Sequence, residues 1–135
     1  MAFIEWSNSL AVGVREIDNQ HKQLFNLVND LFDAMGKGEG NAILSMTLSD
    51  LTKYTVMHFE TEENYMKAYN YTLFVSHKRE HDKLTQQVVD LQNEFNSGST
   101  RITVKVMNFL KDWLKNHIIQ NDVKFGNFLN NAGIN

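Results

Sequence analysis

His117 and Asp122 stand five residues apart near the end of an apolar helical run that starts around Ile102, bounded by Trp113, Leu114, Ile118 and Phe125. Imidazole and carboxylate are ligands for metals that take nitrogen and oxygen, and polar groups belong on a core-facing stripe only when something satisfies them. The same anomaly recurs at His21, at His58 with Glu62, and at His77 with His81, which uses all five histidines of the chain. His58 and Glu62 are four residues apart, as are His77 and His81, so each pair stacks on one helix face a turn apart and can reach one site. A lone histidine on an apolar face is more often a hydrogen-bonded core residue than a ligand. The set changes the odds: with two inward positions per heptad, five histidines all fall inward by chance with a probability of about 0.002.

The elements that carry these residues follow from hydrophobic period. Phe3, Ile4, Trp6, Leu10, Val12 and Val14 show no sustained repeat but are too apolar for a solvated tail, so residues 1 to about 16 read as an arm packed on the rest. Ile17, His21, Leu24, Val28, Leu31 and Met35 then recur at intervals of four and three, with Asp18 as a candidate N-cap; they predict a helix over about 18–36, stopped by Gly36, Gly38 and Gly40. A second helix, about 41–66, turns Leu44, Leu48, Leu51, Thr55, His58, Glu62 and Tyr65 inward. A third, about 72–96, carries Phe74, His77, His81, Leu84, Val88, Leu91 and Phe95. The fourth, about 101–130, carries Ile102, Val106, Leu110, Trp113 and His117, after which its row drifts to Ile118, Asp122, Phe125 and Leu129. Five residues advance about 140° beyond a full turn, so His117 and Asp122 both reach inward only from flanking positions or through a local π-bulge. The fold class is therefore all-α, an up-down-up-down four-helix bundle with the N-terminal arm packed on it, in one domain spanning residues 1–135. The methionines at 35, 46, 57, 66 and 107 read as core filling.

Composition narrows the partners. With 42% hydrophobic and 21% charged residues the chain is ordinary for a soluble globular protein, and no apolar run approaches the ~20 residues of a membrane span. The N-terminus lacks the basic start and apolar stretch of a secretory signal, so the expected location is cytoplasmic. A net charge of -3 with scattered basic residues argues against nucleic acid. No cysteine is present, which removes disulfides, thiolate zinc sites and iron–sulfur clusters; the absence of proline favours long unbroken helices.

Two carboxylates and five imidazoles exceed the four ligands of a tetrahedral zinc. Two metals fit better. If Glu62 and Asp122 each bridge the pair and a solvent-derived oxygen bridges as well, the five histidines divide three and two, leaving one metal a vacant position. Ferritin-like di-iron oxidases are excluded: they place glutamate three residues before histidine, whereas Asp18, Thr55, Phe74, Lys78 and Leu114 occupy those places here. A His-Glu-x-x-His metalloprotease motif is also absent.

The spaced set resembles single-domain bacterial hemerythrins. The similarity runs from Trp6 and Gly13-Val14 through Ile17-Asp18-Asn19-Gln20-His21, His58-Phe59-Glu60-Thr61-Glu62-Glu63 and His77-Lys78-Arg79-Glu80-His81 to Trp113-Leu114-Lys115-Asn116-His117 and Asp122. The resemblance implies two iron ions with an oxo or hydroxo bridge. His77, His81 and His117 would hold the saturated iron, His21 and His58 the open one, with Glu62 and Asp122 bridging. It implies reversible O2 binding for storage, transport or delivery, possible hand-over to a downstream oxidase, and a monomeric, non-enzymatic protein. A small di-iron oxidase or peroxidase and an O2 or redox sensor are the competing readings. Two ferrous ions, two carboxylates and one hydroxide leave a single positive charge, and fewer carboxylates favour holding O2 over cleaving it. Leu114 resembles the family's leucine beside the O2 position; Trp113, Phe25, Phe59 and Ile118 are the other expected walls of a dry pocket. Phe125 stands where the family often has tyrosine.

Overall fold

The computed structural model describes residues 2–135. Its helices are α1 (Arg15–Gly36), α2 (Asn41–Ala68), α3 (Phe74–Asn96), α4 (Val104–His117) and α5 (Val123–Asn131), preceded by a 3₁₀ turn at Asn8–Leu10. A π-helical segment, Ile118–Asp122, joins α4 to α5, so the last two form one continuous rod. The result is the all-α, up-down-up-down bundle that the periodicity predicts. α1 packs on α2 and α4, and α2 packs on α3; the Trp113 indole N–H donates to the Leu84 carbonyl at 3.3 Å and ties α4 to α3.

Short connections suffice because the helix ends are closed locally. At the end of α1 the Gly38 N–H reaches the Met35 carbonyl and the Glu39 N–H the Ala34 carbonyl, with Gly38 at φ 68°. That is a Schellman closure, which satisfies the orphan carbonyls of the last turn. α2 ends the same way, on Asn70 at φ 55°, a residue whose small polar side chain tolerates the left-handed conformation. At the other end of the bundle the Thr103 hydroxyl caps α4 by accepting from the Val106 N–H.

Asp18 is not an N-cap. α1 already starts at Arg15, and the Asp18 carboxylate sits in its first turn, accepting from the backbone N–H groups of Val12 at 2.8 Å and Gly13 at 3.3 Å. A carboxylate there also suits the positive end of the helix dipole. Three further expectations shift by one position or more. Tyr65 is only half-buried, its hydroxyl donating to Glu16, while Met66 takes the inward place. On α4 Met107 is fully buried and Val106 is not. Met46 and Met57 are exposed rather than core.

The core falls into two hydrophobic clusters. The larger includes Leu24, Val28, Leu48, Leu51, Phe59, Leu84, Val88, Leu110 and Leu114; the smaller gathers Val12, Val14, Ile17, Met66, Tyr71, Phe125 and Leu129. The predicted polar positions are sandwiched between them: His21 is flanked by Ile17 and Leu24, Glu62 by Phe59 and Met66, Asp122 by Ile118 and Phe125.

The arm belongs to both clusters, through Ile4 and Leu10 at one and Val12 and Val14 at the other. Asn29 pins it by two bonds of 2.9 Å, its side-chain oxygen accepting from the Ile4 N–H and its amide donating to the Ile4 carbonyl. At α5 the arm lies so close that a Cβ on Gly126 would stand 2.2 Å from the Val12 carbonyl oxygen. Backbone cannot give way as a flexible side chain can. Gly126→Ala should therefore destabilise the protein by about 1–3 kcal/mol through overpacking, lowering the thermal midpoint by several degrees. Gly36→Ala, where a Cβ meets nothing within 4 Å, is the matched control; equal melting of the two variants would refute this account of the arm.

Candidate metal centre

The seven residues singled out from the sequence are brought together in one layer of the bundle, and none is more than 4% exposed. His21 comes from α1, His58 and Glu62 from α2, His77 and His81 from α3, His117 from α4, and Asp122 from the π-segment. The wider turn answers the five-residue spacing. Its i→i+5 bond, from the Val123 N–H to the Ile118 carbonyl, inserts an extra residue into the turn and swings Asp122 to the side of His117, so that His117 Nε2 and Asp122 Oδ1 lie 3.1 Å apart.

The ligand-type atoms separate into two groups that share both carboxylates. Glu62, His77, His81, His117 and Asp122 offer one set, and His21, His58, Glu62 and Asp122 the other, with the atoms in each set within 4.8 Å of one another. Within the first, His77 Nε2 is 3.0 Å from Asp122 Oδ1 and His81 Nε2 is 3.1 Å from Glu62 Oε1. Within the second, His21 Nε2 is 2.9 Å from Asp122 Oδ2 and His58 Nε2 is 3.4 Å from Glu62 Oε1. The histidines thus divide three and two about a pair of shared acids.

The chemistry of these atoms fits divalent metal. Among the described residues, the buried side-chain nitrogens and oxygens without a hydrogen-bond partner all belong to this layer: both ring nitrogens of His21, Nε2 of His58, His81 and His117, both oxygens of Glu62, and Oδ2 of Asp122. His21 Nε2 and Asp122 Oδ2 approach closely yet lack the alignment of a hydrogen bond. A buried polar atom left unpaired costs about 1–3 kcal/mol, so such a cluster implies a ligand that satisfies it.

Several rings are oriented from behind. The His58 Nδ1–H donates to Gln20 Oε1 at 2.7 Å, and the His81 Nδ1–H to Glu63 Oε2 at 2.9 Å. Asn121 Nδ2 lies 3.4 Å from His117 Nδ1. The Gln20 and Glu63 bonds fix the tautomer with its lone pair on the inward nitrogen. Neither Gln20 nor Glu63 was singled out from sequence. Their signal is position, one residue before His21 and one after Glu62.

The electrostatics of the bare cage are unequal. Burial, and then the Asp122 charge beside it, push the Glu62 carboxyl well above the usual range. Burial acts upward on Asp122 too, but His117, His21 and His77 gathered around it hold it well below that range. Burial, with His21 next, lowers His58 far below an ordinary histidine, and burial lowers His77. Both shifts favour the neutral ring, the form that metal ligation requires.

Beside the two-histidine set lies a cavity with about 10 Å³ open to the centre of a water-sized molecule, lined by His21, Leu24, His58, Phe59, Leu84, Trp113, Leu114 and His117. That is roughly the smallest space that admits a water-sized guest. Of the residues expected around an O2 pocket, Leu114, Trp113 and Phe59 line this cavity, and Phe25 and Ile118 do not. Phe25 packs edge-on against Trp6, with ring centres 5.6 Å apart, and Ile118 is buried in the larger cluster. Leu24 and Leu84 take their places, each three residues after a histidine of the layer. Phe59 stacks on His81 at 4.0 Å between centroids and closes the layer toward the main core.

Fold and site define a four-helix histidine–carboxylate protein, and the comparisons give the class. Residues 12–127 match the model of the hemerythrin HHE cation binding domain. The bacteriohemerythrin of Methylococcus capsulatus (strain Bath) is 38% identical over 127 residues, covering 93% of this chain and 96% of that protein. The hemerythrin-like protein of Naegleria gruberi is 35% identical over 120 residues, covering 89% and 88%. A crystal structure of wild-type hemerythrin superposes with a TM-score of 0.88 at 36% identity, covering 93% of this chain and 97% of that one. The chain belongs to the hemerythrin family. The family's domain is described as cation-binding, which accords with a cluster of histidine, glutamate and aspartate able to hold metal.

The upward shift of the Glu62 carboxyl favours its protonated form, with which a metal bound there would compete. Metal uptake is therefore expected to release protons, and apparent affinity to fall as pH falls through the raised Glu62 value. Titration with ferrous ion under argon in a dilute indicator buffer measures this; uptake without any acidification would contradict the assignment of Glu62.

Proposed function

We propose that this protein binds O2 reversibly at a non-haem di-iron centre, for oxygen storage, transport or delivery, and that it is not an enzyme. His77, His81 and His117 would hold one iron and His21 and His58 the other, with Glu62 and Asp122 available to both. The observation that carries the reading is the small apolar cavity at the end with two histidines rather than three. Fewer side chains would face a metal at that end, which would leave room for a guest. A bound iron pair would supply the redox chemistry for holding dioxygen.

The chain's own residues make the rest of the function. Leu24, Phe59, Leu84, Trp113 and Leu114 present apolar surface to the guest and keep out water, which would assist loss of the reduced guest and leave oxidised metal behind. The cavity restricts any guest to the smallest molecules. Gln20 and Glu63 hold the His58 and His81 rings in place, so binding requires little rearrangement of the cage. Only two carboxylates serve the pair, which disfavours the high-valent iron needed for O–O cleavage. Among the described residues no helix is long and apolar enough to cross a membrane. We take the protein to be a cytoplasmic monomer that passes O2 to an oxidase.

Absorption spectra of the reduced, iron-loaded protein before O2, after O2 and after argon purging test the proposal. Two irons per chain and return of the starting spectrum are expected. Steady O2 consumption with an added reductant would instead point to a di-iron oxidase or peroxidase. Leu114→Ala and Leu114→Asp should speed conversion of the oxygenated form to the ferric form severalfold, the aspartate more than the alanine, because both admit water and the second adds charge. Unchanged decay in both variants would remove Leu114 from the gating role.

A further inference from the structure

The two sets of ligands are not braced alike. Behind His58 the Nδ1–H meets a neutral amide, Gln20, at 2.7 Å. Behind His81 it meets a carboxylate, Glu63, at 2.9 Å. Among the described residues this is the one outer histidine nitrogen in the layer that pairs with an acid. Glu62 and Asp122 belong to both sets and cannot distinguish them. Glu63 can.

A carboxylate on Nδ1–H draws the proton outward and makes the opposite nitrogen a stronger donor to metal. Its negative charge also favours the more highly charged metal ion. The nearest cation is Lys78, whose Nζ lies 3.7 Å from Glu63 Oε1 and 3.0 Å from Asp82 Oδ1. Its side chain is 42% exposed, so solvent and Asp82 blunt its effect, whereas Glu63 at 13% and His81 at 1% stand largely out of water. The imbalance therefore survives at the three-histidine end.

We infer that Glu63 is a positioning residue that differentiates the two metal positions: through His81 it makes the three-histidine position the tighter and the more readily oxidised of the pair, while Gln20 leaves the two-histidine position more weakly held. The inference rests on the two-metal reading above. It gives that reading an order of filling and of electron loss which ligand count alone does not specify.

Cobalt(II), titrated anaerobically into the metal-free protein and followed by its visible absorption, tests this without O2. The wild-type chain should take up two ions in distinguishable steps. Glu63→Gln keeps the hydrogen bond but removes the charge, and should weaken the first step about 10–100-fold while leaving the second unchanged. Gln20→Glu is the mirror variant and should strengthen the second step alone. In the iron-loaded protein, a spectroelectrochemical titration of Glu63→Gln should find the first oxidation displaced by about tenfold in the oxidised-to-reduced ratio, roughly 59 mV for one electron. Failure of the wild type to bind two cobalt ions would overturn the two-metal reading and this inference with it. Normal two-step uptake in the wild type, with both steps equally weakened or both unchanged in Glu63→Gln, would overturn the role of Glu63 alone.

Discussion

Everything in this protein answers to the difficulty of keeping two carboxylates and five imidazoles out of water. An ionised carboxylate moved into a low-dielectric interior loses far more solvation than packing returns, unless partners or metal replace the lost water. The bundle meets that demand by confining the polar atoms to one layer and closing it with apolar clusters on both sides. Within the layer the seven side chains come from every long helix. No single helix could assemble the set. The tertiary fold and the site are therefore one construction: metal that satisfies the layer also links all the long helices.

The same constraint explains the division of labour among the histidines. A ring can serve metal only with its inward nitrogen unprotonated, and a buried ring keeps that state when its outer N–H has a fixed acceptor. Gln20 and Glu63 supply it for His58 and His81. Thr52 and Thr55, buried in α2, are quieted differently, each donating its hydroxyl to the carbonyl four residues earlier. These two hydroxyls are thus satisfied within their own helix. The polar groups that face the layer are left for the ligand.

Much of this was legible in the sequence because chemistry placed against the hydrophobic pattern is conspicuous. His21, His58, Glu62, His77, His81, His117 and Asp122 stand out as polar residues on apolar rows, and the five-residue interval before Asp122 announced a flanking or π-type arrangement. Other features gave no such contrast. Leu24 and Leu84 line the cavity but look like any other seam leucine, while Phe25 and Ile118, equally apolar, pack elsewhere. Glu63 and Gln20 read as solvated polar residues on a helix surface; only their neighbours across the bundle reveal their work. Tyr65 and Met66 exchange places because the tyrosine hydroxyl finds Glu16 at the surface while the thioether needs no partner. Asp18 has the residue type of a helix cap, but its carboxylate serves the arm.

The wider turn at Ile118–Asp122 does more than present an acid. By adding a residue to one turn it resets the rotational phase of the nine residues that follow, Val123–Asn131. That phase brings the bare backbone of Gly126 beneath Val12 and lets Asn130 donate to the Gly13 carbonyl at 2.9 Å. A single local unwinding thus sets both the innermost aspartate and the berth of the chain's opposite end, so the two termini are geared to the interior through one shared pivot.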